Sequence, residues 1–103
     1  MLTIYDTEID NDVLKYNLTK ILNQIYRLLP IREEGSDWEK PLQTLIIEVA
    51  GLNGLFKNQG ELFLTLLSKL QGMLELKMED DFFSYRRTVF ECCNILDKMK
   101  QNI

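Results

Sequence analysis

Apolar residues recur at helical spacing in four stretches of the chain. Leu14, Leu18, Ile21, Ile25 and Leu28 follow one another at intervals of 4, 3, 4 and 3, the stripe of an amphipathic helix. This predicts a helix over 12–29. Asp10 or Asp12 caps its start, where acids also suit the positive end of the helix dipole, and Pro30 ends it. A second seam, Leu42, Leu45, Val49, Leu52 and Phe56, predicts a helix over 38–56. The turn-forming run Lys57-Asn58-Gln59-Gly60 closes it. Gly51 and Gly54 weaken this helix by up to about 1 kcal/mol each relative to Ala, unless they let a neighbouring helix approach closely. A third run, Leu62, Phe63, Leu66, Leu67, Leu70, Met73 and Leu74, predicts a helix over 61–76, broad enough on its apolar side to contact two neighbours.

The fourth seam is the most regular. Phe82, Tyr85, Val89, Cys92, Leu96, Met99 and Ile103 keep intervals of 3, 4, 3, 4, 3 and 4. They predict a helix over 81–101, with Asp80 or Asp81 capping the start and Lys98 and Lys100 at the end, where the dipole favours cations. Elsewhere the period-two pattern of a strand is weak and confined to Leu2 to Tyr5. Helices joined by short connections pack as antiparallel neighbours. The expected fold is therefore all-α, an antiparallel up-down four-helix bundle. With 103 residues, the chain forms a single helical-bundle domain over 1–103.

The stretch REEGSDWEKP, Arg32 to Pro41, interrupts the pattern with four acids, two bases and the one tryptophan. Ser36-x-x-Glu39 has the form of a capping box for the second helix. Trp38 lies four residues before Leu42 and extends the second seam downward. Pro41 disfavours helical geometry at Lys40, so the helix alternatively starts at Pro41 with Trp38 folded under the end of the bundle. Both readings make the stretch a corner. The functional reading makes Trp38 and Arg32 an anchor for a partner.

Charge and composition narrow the function. The formal net charge is −4, whereas nucleic-acid binders carry a basic surplus for phosphate contacts. Direct binding to nucleic acid or to an anionic membrane surface is not expected. No apolar run approaches a membrane span of about 18 residues. The first twelve residues carry four acids and no base, the opposite of a signal or transit peptide, so the expected location is cytoplasmic.

The residues that carry most catalytic and metal chemistry are scarce. There is no histidine, which removes Ser-His-Asp and Cys-His arrangements and most zinc sites. Cys92 and Cys93 are adjacent, so on a helix they point about 100° apart and are badly placed to bridge each other. They are expected to be reduced and packed, Cys92 within the apolar arc and Cys93 at its edge. Carboxylates cluster at Glu33, Glu34, Asp37 and Glu39 and again at Glu79-Asp80-Asp81. They read as solvated or capping groups, with magnesium-assisted phosphate chemistry as the alternative. Glu48 is the one acid between Leu42 and Phe56 and is expected at the edge of the stripe, or paired with Arg86. Gly51-Leu52-Asn53-Gly54 lacks the Lys-Ser/Thr of a phosphate-binding loop. No cofactor, metal or catalytic residue is expected.

One surface does not fit the bundle. On a helical wheel with Cys92 facing inward, Phe83 and Phe90 fall on the opposite side. They are seven residues apart and lie on one line, flanked by Arg86, Arg87 and Asn94. Ile47 and Leu64 are single outliers on the second and third helices. Aromatic residues beside arginines match the composition of interface hot spots. The expected function is a small non-enzymatic protein-binding module that acts by occupying a surface, docking on a protein partner or forming a homodimer through Phe83, Arg86, Arg87, Phe90 and Asn94. Two alternatives stand beside it. One is an acidic inhibitor that covers a basic, nucleic-acid-binding protein surface with Asp6, Glu8, Asp10 and Asp12. The other is a metal-dependent phosphohydrolase built on the clustered carboxylates.

Overall fold

The computed structural model describes residues 10–35 and 37–103. Four helices, α1 (Asn11–Glu33), α2 (Glu39–Gly51), α3 (Gly60–Met73) and α4 (Phe82–Gln101), form an antiparallel up-down bundle. Helix α1 packs on α2 and α4, and α3 also packs on α2 and α4, which closes the ring. The four seams meet along its axis. Leu18, Ile21, Ile25 and Leu28 of α1 are buried against Leu42, Leu45 and Val49 of α2, Phe63, Leu66, Leu70 and Met73 of α3, and Tyr85, Val89, Cys92, Leu96 and Met99 of α4. Ile95 and Cys93 are buried as well, so the inward arc of α4 is wider than its main seam. The weak strand candidate at Leu2 to Tyr5 lies outside the described residues.

Helix ends depart from the sequence expectation in three places. Pro30 does not end α1, which runs through it to Glu33. Proline removes the donor that would bond the Tyr26 carbonyl, but both residues lie on the exposed face, where water replaces it. The end of the helix is held instead by Leu28, buried in the core, and by Arg32, which contacts Trp38, Tyr85 and the Met78 carbonyl. The stop comes at Gly35, whose positive φ of 78° suits glycine; its amide donates to the Arg32 carbonyl at 3.1 Å.

Helix α2 is shorter than 38–56 and stops at Gly51. A 3-10 segment, Asn53–Gln59, follows, with Phe56 outside helical geometry (φ −118°, ψ 40°). The glycines do not serve close packing, since a Cβ placed at Gly51 or Gly54 meets no atom within 4 Å. Their effect is to lower helix propensity where the chain must turn. Phe56 keeps its place in the core by stacking on Phe63, with centroids 5.7 Å apart. The Gln59 side chain donates to the Met99 carbonyl at 3.1 Å and accepts from Asn102 at 3.3 Å, tying the segment to the end of α4.

Helix α3 ends at Met73, before the expected 76. A 3-10 turn, Glu79–Asp81, leads into α4. Asp81 accepts from the Met78 amide at 3.1 Å, so it closes this entry turn and makes no side-chain cap to α4 itself. At the start of α1, Asp10 is the capping residue, accepting from the Asp12 amide at 2.8 Å.

Candidate functional site

The acidic corner folds inward. Asp37 Oδ1 accepts from the amides of Glu39 and Lys40 at 3.1 and 3.4 Å and caps α2. Asp37 thus fills the role expected of Ser36 in the Ser36-x-x-Glu39 capping box; Ser36 itself lies outside the described residues. Helix α2 starts at Glu39, so Pro41 falls in the first turn, where its missing N–H leaves few bonds unmade. Trp38 is half-buried under the end of the bundle and meets Tyr85 edge-on, with centroids 5.3 Å apart. The Arg32 guanidinium lies 4.3 Å from the Trp38 ring centre and 4.4 Å from that of Tyr85, and donates to the Met78 carbonyl at 3.0 Å. These contacts join the end of α1, the start of α2 and the entry to α4. Trp38 and Arg32 are thus committed to each other and to the core, which makes the stretch a structural corner.

The two cysteines are free and buried. Burial pushes the Cys92 thiol up to about 12, and the neighbouring Cys93 adds to the shift. Burial also raises Cys93, against the opposing effect of the Tyr26 hydroxyl beside it. Neither thiol is disposed to form the thiolate that metal binding or nucleophilic attack requires.

The carboxylates do not converge. Among the described residues, no three Cys, Asp or Glu side chains are grouped so as to hold a metal ion. Glu39 pairs loosely with Lys77 at 3.8 Å, Asp37 and Asp81 bond backbone amides, and Glu33, Glu34, Glu79 and Asp80 are exposed. Glu48 accepts from Gln24 at 3.2 Å and is exposed, so it does not pair with Arg86. Of the acids that would form an inhibitory patch, Asp6 and Glu8 lie outside the described residues. Asp10 and Asp12 sit at the start of α1, the opposite end of the bundle from Phe83.

Among the described residues, nothing covers the outer face of α4. Phe83 is 79% exposed and Phe90 42%. Arg86, Arg87 and Asn94 are exposed beside them. Arg86 reaches over the Phe90 ring, 5.6 Å from its centre. The face continues beyond the expected residues. Phe83, Arg87, Phe90, Asn94, Asp97 and Gln101 are all exposed and follow intervals of 4, 3, 4, 3 and 4, a second seam on the side of α4 that points away from the core.

Tyr26 of α1 belongs to the same surface and was not singled out by the wheel. It is 45% exposed. The neighbouring Cys93 thiol raises its phenol above the ordinary value, and Asp97 lies near enough to raise it further. The signal in the sequence was its place one step off the α1 seam, but a wheel of one helix does not show which neighbour lies across. Ile47 and Leu64 are also exposed, singly, on other helices.

A groove of about 510 Å³ between α1 and α2 has an apolar floor including Leu28, Pro41 and Leu45. Its rim mixes Arg27 and Lys40 with Asp37 and Glu48, so no single ligand charge suits it. No helix among the described residues is long and apolar enough to cross a membrane. No protein-family model matches the chain, no curated protein is detectably similar to it, and no solved structure matches it.

Proposed function

We propose that this protein is a non-enzymatic binding module that occupies a protein surface through the outer face of α4. One observation carries the reading. Two phenylalanines, seven residues apart on one line, stand in solvent between two arginines while the opposite side of the same helix fills the core. Isolated exposed apolar residues are common, but an aligned aromatic pair with arginine beside it has the make-up of a hot spot. The residues in the binding role are Phe83, Arg86, Arg87, Phe90 and Asn94, with Tyr26 and Asp97 extending the surface.

The test is the double substitution Phe83→Ser/Phe90→Ser. Both rings lie off the core seam, so the variant is expected to keep its helical circular dichroism and to lose little stability. Binding should fall at least about thirtyfold, the effect of one hot-spot truncation. The readout is self-association by light scattering or, for a monomer, capture of partners from the native host by wild type and variant side by side. Unfolding of the variant would place the rings in the core and end the proposal.

A further inference from the structure

We draw no further inference here: the strongest candidate, the exposed face of α4 that carries Phe83 and Phe90, belongs to the binding surface already described, and nothing in the structure shows what covers it.

Discussion

Tyr85 is fully buried, and among the described residues neither its hydroxyl nor Nη1 of Arg32 has a hydrogen-bond partner. A buried donor left unmatched costs roughly 1–3 kcal/mol. The arrangement persists because the rings do other work: they meet edge-on, the guanidinium lies against both of them, and such contacts strengthen as water is excluded. The hydroxyl contributes nothing to those contacts. Tyr85→Phe keeps the ring, the edge-on contact with Trp38 and the cation above it, and removes the unmatched group. It is expected to raise the unfolding free energy by about 1 kcal/mol. Chemical denaturation of the variant beside wild type measures this, and a loss of stability would mean that the hydroxyl has a partner in solution. The sequence showed Trp38 and Arg32 as a pair but left their role open between anchor and corner. What decides it is Tyr85, which is 53 residues away from Arg32 in the chain, a proximity that no local pattern contains.

At the scale of elements, the seams were legible and the ends were not. All four stripes were correctly aimed, since each is a periodic signal repeated over several turns. Where a helix stops depends on a few local contacts of similar strength. Pro30 was a strong stop signal in isolation, yet the packing beyond it carried α1 one further turn. The sequence allows Gly51 and Gly54 either to weaken α2 or to admit a neighbour, and the open space around them selects the first. The start of α2 shows the same competition. Asp37 holds two otherwise free amides there, those of Glu39 and Lys40. Asp37→Ala should lower stability by about 0.5–2 kcal/mol, in the range for loss of an N-cap, while Asp37→Asn and Asp37→Ser should recover most of it. Thermal melts of the three variants check the ranking. Equal melting temperatures for Asp37→Ala and wild type would show that the first turn is held by Trp38 packing alone. The candidate face was partly legible for the same reason as the seams. Phe83 and Phe90 stood out on the wheel, whereas Asp97 looked like an ordinary surface acid until the exposed seam was followed to the end of the helix.

The whole molecule keeps its titrating groups in a particular order, and this sets how its stability responds to pH. There is no histidine, so no side chain ordinarily changes charge between pH 5 and 8. Three groups in the core resist ionisation on the alkaline side. Burial holds the Cys92 thiol and the Tyr85 phenol near 12, and raises Cys93 as well. In the unfolded chain the thiols lose their protons near pH 9, while in the folded protein they keep them. Above that pH the folded state binds more protons than the unfolded state, so stability falls as pH rises. The fall begins where the unfolded thiols titrate and continues toward about 12, where the folded Cys92 ionises. Each fully retained proton contributes a slope of up to about 1.4 kcal/mol per pH unit. Urea unfolding should therefore give a nearly constant free energy from about pH 6 to 8 and a steep decline above about pH 9. Cys92→Ala isolates one contribution. It should be less stable than wild type at pH 7, because it leaves a small void beside Val89 and Leu96. The difference between the two proteins should narrow as pH rises, because the variant has no thiol at that position to ionise. A wild-type protein as stable at pH 10.5 as at pH 7 would contradict the buried, protonated thiol and would reopen Cys92 and Cys93 as reactive groups.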